Sequence, residues 1–261
     1  MVNLNYTVPE ITAWVGGFYW PLVRVAGLMA IAPIIGGPQV PVRIRAGLAL
    51  MVTLTILPFT GAAPAINPLS AEGVLITATQ ILIGVAMGFM LMIVFHAITL
   101  AGENIAMTMG LGFAVMQDPQ NGVQVPVVSQ FYMIMATLLF LALNGHHATL
   151  EMLVTSFEYL PIASVVGPDM LWHLLEWAGL LFRGAVSIAL PAIAALLTVN
   201  LVMGVMTRAA PQMNIFSVGF PVTMTVGFVV ILVTLPGFFP VFENLLSDAF
   251  AGITTFLVRG Q

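Results

Sequence analysis

The chain has 261 residues, 60% of them hydrophobic and only 6% charged, against roughly 45–50% and about 25% in ordinary soluble domains, so a soluble fold could not hide its apolar surface. Its formal net charge is −4, every basic residue is an arginine and cysteine is absent. This excludes the basic face needed for nucleic acid, together with disulfides, thiolate metal sites and cysteine catalysis.

A membrane crossing takes ~20 apolar residues, so this length accommodates about half a dozen spans. The expectation is an all-α polytopic membrane protein forming a single domain over 1–261. No Lys or Arg precedes Arg24, and Glu10 lies in the opening stretch. The positively charged region of a cleavable signal peptide is therefore missing, and the first segment is expected to stay.

In chain order the apolar segments run Ile11 to Ile35, Ala46 to Phe59, Val74 to Leu100, Val127 to Leu143, Leu171 to Met206 and Ile215 to Leu235. Breaks are expected at Ile35 to Pro38, Pro58 to Pro68, Gly102 to Pro126, Asn144 to Pro168 and Arg208 to Pro211, where glycine, proline and polar residues cluster. Pro21, Pro191 and Pro221 lie within apolar runs, where a missing N–H predicts kinks. Beyond Pro240 the tail Val241 to Val258 spaces Glu243, Asn244, Ser247 and Asp248 as an amphipathic terminal helix. Arg43 and Arg45 after the first segment and Arg208 after the fifth mark cytoplasmic turns. Both termini, with Glu72, Glu151, Glu158 and Asp169, then fall outside, and Arg259 alone opposes this assignment.

Chemistry is sparsely provided. His96, His146, His147 and His173 have no H-E-x-x-H spacing, no G-x-S-x-G elbow occurs, and no lysine serves a phosphate loop. The expectation is no enzyme, no cofactor and no metal site, with His146-His147 closing the turn after the fourth segment. Gly84 and Gly88 form a G-x-x-x-G that lets two helix backbones approach. Arg24 and Arg183 are charges at membrane depth, which call for an ion pair, a wet cavity or a snorkelling position. Glu103 and Glu176 are candidate partners.

The segment from Gly102 to Gly122 is the most unusual. Its glycines permit a non-helical path, and Met107, Met109, Leu111, Phe113 and Met116 would stand on a loop unless buried or lining a constriction. Unbranched methionines could close around an occupant of changing shape. A re-entrant turn packed in the core accounts for the same residues equally well.

Gly110-Leu111-Gly112-Phe113-Ala114 with Asp118-Pro119 and Gly122, then Leu143 to His147, then Arg208 to Pro221, resemble the FliR family of flagellar biosynthesis proteins. Arg24 to Gly27, Ala32-Pro33 and Pro41 to Arg45 fit the same family. The resemblance covers essentially the whole chain. It implies an export-gate subunit of a type III secretion system in the bacterial inner membrane, within the flagellar basal body. Such a subunit assembles with FliP and FliQ, associates with FlhB and FlhA, and passes unfolded flagellar proteins.

The fold so implied is one of kinked helical hairpins, a FliP-like part over about 1–168 followed by a FliQ-like hairpin and terminal helix over about 169–261. The assembled gate would be raised toward the periplasm. By the same resemblance, residues 102–122 form a plug loop, with Met107, Met109, Gly110, Leu111, Gly112, Phe113, Met116, Asp118 and Pro119 as gating residues. Arg24, Glu103 and Arg183 become intersubunit or buried charges, and Arg208, Pro211, Gln212 and Asn214 a cytoplasmic hairpin tip. Three alternatives remain on the residues alone: the homologous subunit of a virulence secretion system, a secondary transporter coupling through Arg24, Arg183 and Glu103, and an assembly nucleus whose loop packs without gating.

Overall fold

A computed structural model describes residues 7–112, 127–209 and 219–260. Among these there is no strand. The helices are α1 (Val8–Ile31), α2 (Val42–Ile56, continued as the 3-10 turn Leu57–Phe59), α3 (Ala71–Thr108), α4 (Val127–Ala142), α5 (Gly145–Tyr159), α6 (Pro168–Ala209) and α7 (Phe220–Val258). Five are long and apolar enough to cross a membrane, or six if α4 with α5 counts as one broken span. The 38 residues of α3 measure about 57 Å along the axis at about 1.5 Å per residue, against a hydrocarbon core of about 30 Å.

Several expected breaks are helical. The break placed at Asn144 to Pro168 is filled by α5 up to Tyr159. Its Glu151 and Glu158 face solvent while Leu153, Ser156 and Phe157 are buried, so it is an amphipathic helix that a search for apolar runs passes over. His146-His147 accordingly open α5, behind Asn144 in the left-handed region (φ 56°), and do not merely close α4. Residues Gly102 to Thr108 belong to α3. The terminal segment is not a separate helix, because α7 continues through Pro236 and Pro240. Pro221 lies in the first turn of α7, where its missing N–H costs nothing; Pro21 and Pro191 are interior as expected.

The chain forms two compact units. The first comprises Met1–Ile93, Leu143–Ala178 and Asp248–Gln261, the second Val94–Ala142 and Gly179–Ser247. In the first, α1 packs on α3 at the G-x-x-x-G. A Cβ on Gly84 would run into the Arg24 carbonyl and lie 2.9 Å from Leu28 N, and one on Gly88 would lie 2.9 Å from Leu28 O. Such backbone-to-backbone approach is the use of small residues in membrane helices. Trp20 Nε1 donates to Thr77 Oγ1 (3.2 Å) and Trp177 Nε1 to Met90 O (3.2 Å). Arg45 curls back over the α1–α2 turn and donates to the carbonyls of Ile35 (3.1 Å), Gly36 (3.2 Å), Gly37 (3.0 Å) and Val40 (3.3 Å). It is a structural staple of that turn.

The second unit is centred on edge-on aromatic contacts. Phe95 meets Phe140 at 5.6 Å and Phe242 at 6.2 Å, and Phe238 meets Tyr132 at 5.3 Å. These tie α3, α4 and α7 together by large buried areas and favourable quadrupole geometry.

Replacing Gly84 by valine should force α1 away from α3. An overpacking cost of about 2 kcal/mol or more is expected, measured as a lowered unfolding midpoint in detergent, whereas Gly47→Ala, in open space on α2, should leave the midpoint unchanged.

Candidate functional site

The end of α3 is built by one glycine. Gly110 adopts φ 86°, its N–H donates to Met107 O (3.0 Å), and the N–H of Leu111 donates to Ala106 O (3.1 Å). This pair of bonds with a left-handed glycine is the Schellman terminator, which a residue with a Cβ enters only under strain.

Two carbonyls that α3 cannot satisfy itself are capped from elsewhere in the same unit. Asn200 of α6 donates to Thr108 O (3.2 Å), and the Thr223 hydroxyl of α7 is shared between Met109 O (3.4 Å) and Phe220 O of its own helix (3.1 Å). The Met109 side chain is fully buried against Gly227 of α7, where an added Cβ would lie 2.6 Å from its Cγ and Cε. Met107 points the other way, 61% exposed, with its thioether over Gly112. Leu111 and Gly112 are half-buried. Phe113, Met116, Asp118 and Pro119 lie outside the described residues, as do Pro211, Gln212 and Asn214; Arg208 is exposed at the end of α6. The expected non-helical path from Gly102 is corrected: that glycine is in α3, where Ser129 of α4 approaches so closely that a Cβ would lie 2.5 Å from its Cα.

Arg24 is fully buried. It has no carboxylate partner among the described residues, so neither candidate partner, Glu103 nor Glu176, pairs with it there. Nε donates to Gln80 Oε1 (2.8 Å), Nη1 to Ser156 O (2.8 Å) and Oγ (3.1 Å), and Nη2 to Leu160 O (2.7 Å). The Phe157 ring lies 4.0 Å from the guanidinium carbon. Ser156 and Leu160 bracket the C-terminus of α5, where the Ser156 carbonyl also accepts from the Leu160 N–H (3.0 Å) and the helix dipole presents its negative end. The cation is thus neutralised by dipoles and a π face instead of a counter-ion. Gln80 extends the network through Nε2 to Ile162 O (2.9 Å).

Glu176 is within 3.9 Å of both Arg259 and His173. Glu103 is half-buried and Arg183 exposed, and neither has an ion-pair partner among the described residues. No group of three potential metal ligands occurs among those residues, and none of these arrangements sets a base beside a nucleophile. What these groups do in the structure is end helices, hold carbonyls and present surfaces. Asn200, Thr223 and Gly227 went unnoticed in the sequence. Their only signal was an isolated amide, hydroxyl or glycine in an apolar run.

The chain matches the family described as bacterial export proteins, family 1, over residues 15–249. It is 38% identical over 248 residues to the flagellar biosynthetic protein FliR of Escherichia coli (strain K12), covering 95% of each chain. It is 39% identical over 249 residues to that of Pectobacterium carotovorum subsp. carotovorum, again 95% of each. With the FliR of Bacillus subtilis (strain 168) it shares 27% identity over 234 residues, 88% of this chain and 90% of the relative.

Because Arg24 holds several buried acceptors at once, Arg24→Met should lower stability by about 3 kcal/mol or more, the cost of leaving the Leu160 carbonyl and the Gln80 amide oxygen without their donor. Arg24→Lys should recover part of the loss. The unfolding midpoint in detergent reads both.

Proposed function

This chain belongs to the bacterial export proteins, family 1, alongside the flagellar biosynthetic FliR proteins, and from that premise we propose that it is a subunit of the flagellar type III export gate. It acts in the inner membrane of the flagellar basal body, with FliP and FliQ forming the channel and FlhB and FlhA attached. Unfolded flagellar proteins pass through it. Its two sequential parts, about 1–168 and about 169–261, correspond to a FliP-like part and a FliQ-like hairpin. Arg24 steadies the first of these, while Arg208, Pro211, Gln212 and Asn214 form the cytoplasmic tip. Transport energy comes from elsewhere, since no nucleotide-binding loop is present in the sequence. The near full-length match to flagellar relatives carries this reading.

The terminator at Met107 to Gly112 supports a gating role for the chain that follows it, including Phe113, Met116, Asp118 and Pro119. A plug has to be held at its root while its apolar side chains seal a passage, and hydrophobic constrictions close pores by dewetting. Here Asn200 and Thr223 hold the root through backbone carbonyls, and Met109 is keyed into Gly227.

A tagged copy purified from membranes that also express FliP and FliQ should run as a defined hetero-oligomer by native mass. A monodisperse lone chain would overturn the assignment and favour a self-contained transporter. Within the assembled complex, Gly227→Val should dislodge Met109 and raise ion conductance across planar bilayers with the oligomer intact. Loss of assembly without any leak would instead make the terminator a packing element.

A further inference from the structure

Arg183 stands on α6 between Gly179 and Gly184, exposed and without an ion-pair partner among the described residues, whose ion pairs involve only Glu176, His173 and Arg259. One turn along the same helix, Ser187 and Pro191 belong to one wall of a cavity of about 240 Å³, whose other walls include Tyr132 of α4 and Val233, Gly237 and Phe238 of α7. The cavity is open to the outside of the unit. Val233 is 74% exposed, and a Cβ on Gly237 would meet nothing within 4 Å.

Resting on the reading of this chain as one member of a hetero-oligomeric channel, we propose that Arg183 and this groove dock a membrane helix of a neighbouring subunit. That helix places a carboxylate on Arg183 and a bulky apolar side chain, one turn away, in the groove. Charge complementarity carries the first half. An arginine on an otherwise apolar helix is costly at membrane depth unless it meets an anion, and among the described residues of this unit none pairs with it. Glu243, beyond Pro240 on α7, belongs to the polar run of Asn244, Ser247 and Asp248 and makes no ion pair with it.

The shape of the groove carries the second half. Pro191 has no N–H, so the Ser187 carbonyl on the groove wall lacks its intrahelical donor. Gly237 leaves that side open to close approach by another backbone, the arrangement by which membrane helices associate. A lipid acyl chain would fill the volume but bring no anion to Arg183.

The full-length tagged chain, expressed with its candidate partner subunits and recovered from membranes, tests this directly. Arg183→Glu should lower partner recovery on the order of tenfold or more, Arg183→Lys should keep most of it, and Gly237→Trp, which plugs the groove, should lower it as well. A benzoyl-phenylalanine photo-crosslinker at Val233 in the otherwise native chain should trap a partner subunit, a readout that survives even if the charge reversal disturbs folding. Recovery of partners by Arg183→Glu and Gly237→Trp at the wild-type level, or crosslinks to phospholipid alone, would overturn the inference while leaving the export-gate reading in place. A wild-type chain that recovers no partner would overturn both.

Discussion

In a chain this apolar, the backbone carbonyls at helix ends are the hardest groups to place, because neither lipid nor packed side chains offer them a donor. The same solution recurs in several places: a polar side chain from another helix is spent on the last carbonyls of a helix or turn. Arg24 takes the end of α5, with Gln80 reaching Ile162 just beyond it. Arg45 takes the turn after α1, and Asn200 and Thr223 take the end of α3. Each is a local device with a long-range consequence, since it fixes where one helix ends relative to another within its own unit.

Arginine suits this work where lysine does not. A guanidinium offers five donors in a rigid plane and stays weakly hydrated, so it can serve several carbonyls at once and stack on a ring. Arg24 does both, bonding Gln80, Ser156 and Leu160 while lying against Phe157. An ammonium in the same place would satisfy fewer acceptors and demand more water. Of the six basic residues, all arginines, at least two are therefore structural, and Arg183, which has no such carbonyls to hold, stands apart from them.

Glycine does the complementary work. Gly84 and Gly88 let α1 close on α3, Gly102 admits Ser129, and Gly227 makes room for Met109, while Gly110 is required for a backbone shape. Close packing of this kind leaves little freedom inside each unit. The exposed apolar residues of α2, α6 and α7, such as Val42, Met51, Leu201 and Val233, are then the surface left for lipid and for other subunits.

The sequence by itself determined the membrane class, the all-helical fold, the helix-pairing glycines at Gly84 and Gly88, and, through its motifs, the family. Those signals are local: composition, runs of apolar residues and short ordered strings survive without knowledge of what lies nearby. Only the tertiary structure decided that α5 exists as an amphipathic helix, that α7 runs unbroken past Pro240, and that α3 extends to Thr108 before Gly110 stops it. It also decided that Arg24 is held by carbonyls and not by Glu103 or Glu176. A buried arginine carries the same letter whether its acceptor is a carboxylate or a helix end. Which one it meets is settled by residues such as Gln80, Ser156 and Leu160, far from it in sequence and unremarkable until the chain is folded.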